Sequence, residues 1–514
     1  MRKTKCKSSG SSTCSEINEN TQKLNLKREI GLVSAVSLLA GTMIGSGIFM
    51  SPQWVLYHIG SPGGSLIIWA ACGLLAMLGS LSYAELGTVI KESGGDYIYI
   101  LRTSGPLPAF LLAFTSMLVV RPASIAGIAL SFAEYAVAPF YQGCPLPELV
   151  VKFVAASCIL LLAIANCLNV RWSMSIQVFF MAAKLISLVV IIIGGVVMLI
   201  NGHTSSFQNA FQGTIVGINP IGIAFYQGLW SYDGWNNLNY VTEELKRPEG
   251  FISNILNLGC LCNALQIWMK LTKDKLLIVN LPRAIMIAIP LVTVLYLLVN
   301  ISYLAVMTPT ELMSSSAVAA TWGNKVLGSW SWLMSVAAAL SSFGSLNGTF
   351  FSGGRVCYVA AREGHMPDIL SMAHVRRLTP SPALIFTTAL SLLVLIPGNF
   401  KSIVNFFSFT AWFFYAITLS GLLYLKLKKR HLPNSYEVPI VIPIIVIIAA
   451  VFLVLAPIID DPKIEYLYVS LFILSGVMFY IPFVHFKLCP NLLTKATVFL
   501  QLFLEVAPTE KNTD

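Results

Sequence analysis

The chain has 514 residues, of which 56% are apolar and only 11% charged, where a soluble domain carries roughly 25% charged residues. With a mean hydropathy of +0.76, there is too little polar surface to cover a water-soluble globule, and no long polar linker divides the apolar stretch. A soluble enzyme, a disordered scaffold and a fibrous protein fit poorly. The chain reads as an all-α polytopic membrane protein.

The first 29 residues are polar, basic and rich in Ser, Asn and Lys. They are expected to form a disordered cytoplasmic tail, not a cleavable signal peptide, so the apolar segment from Gly31 serves as an uncleaved anchor. A helix needs about 20 mainly apolar residues to cross the hydrocarbon core. Such segments run over 31–57, 64–90, 106–137, 150–168, 174–200 and 214–245, then 282–307, 330–360, 382–397, 402–425, 439–457 and 464–486. That makes twelve, the ninth unusually short. With the amino terminus inside, 27 of the 33 Lys and Arg lie on the cytoplasmic side. Only Lys152, Lys325, Lys401 and Lys463 face outward, and Arg121 and Lys184 fall within spans. Cytoplasmic loops carry such an excess, so both termini are read as cytoplasmic. The net charge of +10 is then a topology signal with a modest attraction to the anionic inner leaflet, and no nucleic-acid partner is implied. Ten cysteines are too scattered for a disulfide scaffold.

Two spans are interrupted. The first carries Gly41-Thr42-Met43-Ile44-Gly45-Ser46-Gly47-Ile48-Phe49, and the sixth carries Phe225-Tyr226-Gln227-Gly228-Leu229-Trp230-Ser231-Tyr232-Asp233-Gly234-Trp235-Asn236. Glycine costs a helix about 1 kcal/mol relative to Ala, and unwound backbone at membrane depth is tolerated only where it is buried in protein or lines a cavity. The breaks open two five-span halves, 30–200 and 214–426; five being odd, the second half is inverted relative to the first. That is the layout of an inverted-repeat transporter, with substrate bound where the discontinuous helices meet. Close helix packing by small residues is the plainer account. Span one runs outward, so the half-helix from near Ile48 aims free amides and a positive dipole end at the midplane, a site for a carboxylate. Span six runs inward, and its first half is expected to end near Gln227–Trp230 with unpaired carbonyls that suit an ammonium. Together these ends describe the zwitterionic head of an amino acid. Residues 427–488 add helices eleven and twelve, and 489–514 are read as a cytoplasmic tail.

At these residues the chain resembles the light-chain (L-type) amino acid transporters of the amino acid–polyamine–organocation superfamily, from Gly31 to about Glu505. The match is carried by GTMIGSGIF (41–49), IIWAACGLLA (67–76), YAELG (83–87), SGGDY (93–97), WSYDGWNNLNYVTEEL (230–245), AREGHM (361–366) and RRLTPSPA (376–383). Within that family it is similar to the cystine and dibasic amino acid exchangers of system b(0,+), or to an aromatic-preferring paralogue. The resemblance implies a LeuT-type fold, a 5+5 inverted repeat with two extra helices. It also implies sodium-independent exchange by alternating access, of cationic amino acids and cystine against neutral L-amino acids. The implied partner is a disulfide-linked single-pass glycoprotein heavy chain, and the setting the plasma membrane, in epithelium the apical one. A carrier preferring aromatic or neutral amino acids and a non-transporting sensor are the other readings.

The resemblance assigns the substrate carboxylate to the backbone of Met43, Ile44, Gly45, Ser46 and Gly47, with Thr42 nearby. Asp233, a carboxylate at mid-depth, is a functional candidate: an anionic wall for a side-chain cation or the second ammonium of cystine, or else a helix N-cap. Trp230 is by resemblance an outer gate, or an ordinary packed aromatic. Gln227 and Asn236 are candidate polar lining residues, and Ala123 and Gly127 candidates for shaping the site. Lys184, alone in span five, stands by resemblance where sodium-coupled relatives hold an ion, or tethers the first break. Arg121-Pro122 reads as a structural ion pair, and Glu85 as a loop anchor. Cys144, the only cysteine in a predicted outside loop, suggests an intermolecular disulfide, and matches the family cysteine that joins the heavy chain. The sequons at Asn300 and Asn347 fall inside spans. Residues 250–279 depart from the family pattern and read as a membrane-surface loop or a splice or gene-model variant. None of the six histidines is mid-span and no metal-ligand spacing occurs, so neither catalysis, metal nor cofactor is expected; charge rings and filter loops of a channel are absent.

Overall fold

The computed structural model describes residues 32–508 except 91, 93, 142–145, 169, 245–279, 316, 378, 429–436, 460–463 and 487–489. The amino-terminal tail, Cys144 and the 250–279 segment therefore lie outside the described residues. In chain order the first half comprises α1 (Leu32–Met43), α2 (Gly47–Ile59), α3 (Pro62–Val89), α4 (Asp96–Thr103), α5 (Pro106–Thr115), a π-helical turn (Ser116–Val120), α6 (Arg121–Val137), α7 (Glu148–Leu168) and α8 (Val170–Ile200). The second comprises α9 (Ile218–Ser231), a 3-10 segment (Asn237–Glu244), α10 (Asn280–Val306), α11 (Pro309–Ser314), α12 (Val318–Val326), α13 (Trp332–Arg362), α14 (Ser381–Leu395) and α15 (Phe400–Lys428). After these come α16 (Val441–Ile459), α17 (Ile464–Phe479) with a π-helical extension (Tyr480–His485), and α18 (Pro490–Leu504).

Each of the twelve apolar segments contains helix among its described residues, and apart from one two-stranded pairing the described structure is helical. Among the described residues eight helices are long and apolar enough to cross a membrane, or nine when α1 and α2, bent by 42°, count as one. The remaining three fall short for separate reasons. α9 has only 14 residues because the sixth segment is broken at Ser231. α13 has 31 residues but a polar interior face, with Ser341, Ser342, Ser345, Asn347 and Thr349 buried. α14 has 15 residues. Local sequence explains the clean starts. Ser61 accepts a hydrogen bond from Gly64 N–H at 3.3 Å with Pro62 as the next residue, the preferred chemistry of an N-terminus.

The broken helices lie at the centre. α2 packs on α9, α3 on α10, α6 on α13 and α7 on α14, while α1 is enclosed by α8, α10 and α13. Both sequons are buried, Asn300 in α10 and Asn347 in α13, as their position within spans requires.

The loops sort onto two faces. On one, the buried Glu85 carboxylate pairs with Lys426 at 2.6 Å and accepts Val438 N–H at 3.1 Å, so it does anchor a loop. Arg102 there bonds Glu92 at 2.7 Å. Within the segment read as a cytoplasmic tail, Val506–Pro508 pairs antiparallel with Met372–His374 on this face, as β2 and β1. On the other face, Ile215 N–H bonds Ile59 O at 2.8 Å, Lys325 pairs with Glu311 at 2.6 Å, and the Lys401 ammonium sits 4.9 Å over the Trp54 ring. These are the groups of loops that the charge count separates. Removing one member of a buried ion pair costs about 3–5 kcal/mol, whereas replacing both is far milder. Glu85→Gln is therefore expected to lower the apparent Tm of the detergent-solubilised protein by several degrees, and Glu85→Gln with Lys426→Met to recover at least half of that loss.

Candidate functional site: two interrupted helices around a small cavity

The first break is the three-residue turn Ile44-Gly45-Ser46 between α1 and α2. Ile44 N–H still bonds Ala40 O at 2.8 Å, but among the described residues the amides of Gly45, Ser46 and Gly47 make no backbone hydrogen bond. The two glycines are required by close approach. A Cβ on Gly45 would lie 2.4 Å from Ser345 Oγ, and one on Gly47 would lie 2.4 Å from Ser231 Cα. The second contact is backbone, so no rotamer relieves it.

The carbonyls preceding this break are all engaged. Lys184 Nζ donates to Gly41 O at 2.5 Å, Ser345 Oγ to Thr42 O at 2.9 Å, and Tyr296 Oη to Met43 O at 2.7 Å. The tether read for Lys184 is thus present. Tyr296 Oη also lies 2.9 Å from Ser231 O, so one phenol from α10 holds the ends of both broken helices. At the second break Tyr232 N–H reaches Leu229 O at 3.1 Å and Asp233 N–H reaches Trp230 O at 3.2 Å. The expectation of unpaired carbonyls over Gln227–Trp230 is narrowed here: the carbonyls of Leu229 and Trp230, and that of Ser231 beyond them, already accept hydrogen bonds. Gly234, at φ +97°, turns the chain, and Asn237 N–H closes onto Gly234 O at 3.0 Å.

Thr42, Met43, Gly45, Ser46, Gly47, Trp230 and Asp233 border one cavity with Ile128, Asn237, Ser345 and Thr349. It is small, about 10 Å³ of room for the centre of a water molecule, which is roughly one water. The Trp230 ring closes one side, edge-on to Phe407 and Phe400 with centroids 5.0 and 6.0 Å away. A Cβ on Gly127 would come within 3.2 Å of that ring, which gives this glycine its purpose. Trp230 is thus a packed aromatic and a cavity wall at once. Asp233 and Asn237 are shared with an adjoining chamber of about 40 Å³.

That chamber holds what the sequence reading missed. Asp96, at the start of α4 and buried, accepts hydrogen bonds from Tyr83, from Tyr240 at 2.6 Å and from Asn236 at 3.3 Å. Tyr99 adds a bond to Asn239 at 2.9 Å, so α4 clasps the 3-10 segment. The sole signal was the acidic residue of SGGDY. Arg121 also borders this chamber, and the structural ion pair read for it is corrected. Among the described residues no carboxylate oxygen lies within 4.0 Å of it. Its guanidinium sits 4.7 Å over the Tyr240 ring, and its Nε is buried without a partner.

Two predicted residues fall elsewhere. Gln227 is buried but borders neither cavity; its amide donates to Asn405 Oδ1 on α15 at 3.3 Å. Ile44 is buried behind the turn. Asn236 borders the chamber, bonded to Asp96, Tyr240 and Tyr415.

Helices interrupted at mid-length around a buried polar cavity, inside an apolar all-helical bundle, define a membrane transport protein. The chain belongs to the amino acid permease family, whose profile matches residues 30–481. It is 48% identical over 490 residues to the b(0,+)-type amino acid transporter 1 of Mus musculus, across 95% of each chain. To the cystine/glutamate transporter of Homo sapiens it is 40% identical over 493 residues, 95% of this chain and 92% of that one. To the large neutral amino acids transporter small subunit 2 of Mus musculus it is 41% identical over 443 residues, 85% and 77% of the two chains. It is a multi-pass membrane transporter and not an enzyme.

Overpacking at a site that cannot relax costs about 1–3 kcal/mol. Gly47→Ala is therefore expected to cut uptake to about a tenth or less of wild type. Gly353→Ala is the control, since its nearest neighbour would be Arg121 Cδ at 3.8 Å; uptake per transporter at the cell surface should there stay near wild type.

Proposed function

We propose that this chain is the light subunit of a heterodimer that exchanges amino acids across the plasma membrane without sodium. It carries cationic amino acids and cystine against neutral ones. The observation that carries the reading is the first break: Gly45, Ser46 and Gly47, whose amides have no backbone partner among the described residues, border the same cavity as Asp233 and Trp230. Amides at the positive end of a half-helix bind a carboxylate. The α-ammonium meets the other polar atoms that border this cavity, which leaves the Asp233 carboxylate for a side-chain cation. Lys184 supports sodium independence: its Nζ bonds the Gly41 carbonyl, so a lysine side chain occupies the space beside the first break.

Twelve crossings in two inverted halves, 30–200 and 214–426, with both termini cytoplasmic, are part of the same proposal. The packing of α2 on α9, α3 on α10, α6 on α13 and α7 on α14 supports it, since each pair joins counterparts of the two halves. A twofold relation brings such counterparts together near its axis. Alternating access is then the movement of one set of elements against the other around a fixed site. The names of the relatives, b(0,+)-type, cystine/glutamate and large neutral amino acids transporters, support amino acids as cargo.

Asp233 sets the charge preference. Hydrogen bonds to charged groups contribute about 1.5–3 kcal/mol, so Asp233→Asn is expected to slow arginine exchange at least about tenfold and leucine exchange less than about threefold. Labelled uptake into vesicles measures both, and equal loss of the two would reduce Asp233 to a helix cap. The heavy chain is joined through Cys144. Cys144→Ser should remove a high-mass band on non-reducing gels of cells expressing both chains; a wild type without that band refutes the linkage.

A further inference from the structure

A far larger hollow than either chamber lies on the lateral surface, between α15 and α16 and against the end of α4. It measures about 550 Å³, against about 10 and 40 Å³ for the two chambers. Sites for small molecules span roughly 300–1,000 Å³. α15 supplies one side, where Ala416, Ser420 and Gly421 are small and leave a flat floor. Val451, Val454 and Leu455 of α16 form the facing wall. A Cβ on Gly421 would strike the Thr103 side chain, so α4 ends hard against α15 and closes one end of the groove.

The groove is polar at that end and apolar at the other. Lys426 Nζ bonds Val438 O at 2.5 Å just before α16 begins, which sets the two antiparallel helices level on the face of Glu85. Thr103, Ser104 and Tyr424 border the groove near this face. Phe413 and Val454 lie about 20 Å farther along their helices. From Tyr424 to Phe413 the groove is about 16 Å long, and one leaflet of hydrocarbon is about 15 Å deep. These dimensions fit an amphiphile of a single leaflet, the cytoplasmic one in the topology proposed above.

The chemistry of the polar end selects the head. None of the lining residues is charged. The cations nearest in sequence are engaged: Arg102 with Glu92 at 2.7 Å, Lys426 with Glu85 at 2.6 Å, and Lys428 with the Tyr424 hydroxyl at 2.7 Å. A phosphate would meet hydroxyls alone along the groove, whereas a small neutral hydroxyl is well served. Ser420 Oγ donates to Ala416 O at 2.7 Å and keeps its lone pairs for accepting. The Tyr424 oxygen accepts from Lys428, which leaves its O–H to donate. A flat floor favours a rigid ring system, which loses less entropy on binding than a flexible chain. Leu422–Lys426 also fits the loose Leu-x-Tyr-x-Lys pattern put forward for cholesterol contact, a weak signal alone, here with its tyrosine on the groove.

We propose that this groove is a sterol site, the rings lying on Ala416, Ser420 and Gly421 and the hydroxyl among Thr103, Ser104 and Tyr424. The proposal does not depend on which amino acids are carried. Because α4, α15 and α16 all touch the occupant, a bound sterol favours the arrangement in which α4 is docked.

The test uses the full chain, co-purified with a heavy chain, in phosphatidylcholine nanodiscs with a cholesterol analogue that carries a diazirine on its rings. Illumination should label Phe413–Tyr424 or Val451–Leu455, mapped by mass spectrometry, and cholesterol should displace the label. Cholesteryl methyl ether, whose oxygen cannot donate, should displace it at least about threefold less well, and dioleoyl phosphatidate should leave it in place. Ser420→Leu, which fills the groove from an exposed position, should cut labelling at least about fivefold. Ile448→Phe, on the exposed face of α16 outside the groove, should leave labelling unchanged. Cholesterol should also raise the apparent Tm of wild type and not that of Ser420→Leu. Label spread evenly over the outer helices, or displaced by phosphatidate as readily as by cholesterol, would overturn the site, and both are read in wild type without any variant having to fold. Equal labelling of Ser420→Leu and wild type would overturn it too. Equal displacement by the methyl ether would overturn the seating of the hydroxyl, and a wild-type Tm indifferent to cholesterol the docking of α4.

Discussion

The structure depends on one backbone crossing. Gly47 at the start of α2 and Ser231 at the end of α9 approach so closely that a single added carbon would stand 2.4 Å from the Ser231 Cα. Two helices can meet this way only if one lacks a Cβ and both are free to end there. Ending a helix in an apolar interior exposes carbonyls and amides that have no water to turn to. The Tyr296 hydroxyl answers part of that demand for both helices at once, at Met43 O and Ser231 O. Lys184 and Ser345 do the same for the carbonyls of Gly41 and Thr42. The crossing thus brings α8, α10 and α13 into register around α1.

Satisfaction at the crossing is one-sided, and that gives the site its sign. Carbonyls from Gly41 to Met43 and from Leu229 to Ser231 have hydrogen-bond partners, whereas the amides from Gly45 to Gly47 have no backbone partner among the described residues. A helix with both termini engaged is a structural element; one with its amino end open to a cavity is an anion site. Under the proposed function the negative counterpart is a side chain, Asp233. A backbone anion site serves every α-amino acid alike, because it reads only the carboxylate. Discrimination falls to the few side chains on the other walls.

Much of this was legible before any coordinates. Gly-Ser-Gly in an apolar run is a backbone statement, readable because glycine is out of place in a helix. Asp233, Lys184 and Arg121 stood out because charge is scarce in the spans, and Lys184 reached the break that was read for it. The saturated carbonyls were not legible, since their partners lie far off in sequence. Tyr296 is 253 residues from Met43, and Ser345 is 303 from Thr42. Gln227 was misplaced for a related reason: its side chain is drawn by Asn405, 178 residues on, and nothing local says which side of a broken helix faces the gap. Asp96 went unweighed because it stood between spans, where an acidic residue reads as solvated. Only the fold of α4 back onto the 3-10 segment turns it inward.

The two closures of the site differ in chemistry. Trp230 rests edge-on against Phe400 and Phe407, a contact that contributes little beyond buried area, about 0.5–1.5 kcal/mol per aromatic pair. On the α4 side the closure is a buried carboxylate that accepts from two phenols and an amide, reinforced by the bond from Tyr99 to Asn239. Hydrogen bonds to a charge in a low-dielectric interior are stronger and far less forgiving of partial rupture. An aromatic lid can yield in small steps as a side chain enters. A saturated carboxylate yields only if its partners leave together or water replaces them. Asn236 and Tyr240, which hold Asp96, belong to the segment that follows Asp233. Asp233 and these two groups that hold Asp96 thus share one stretch of eight residues, from Asp233 to Tyr240.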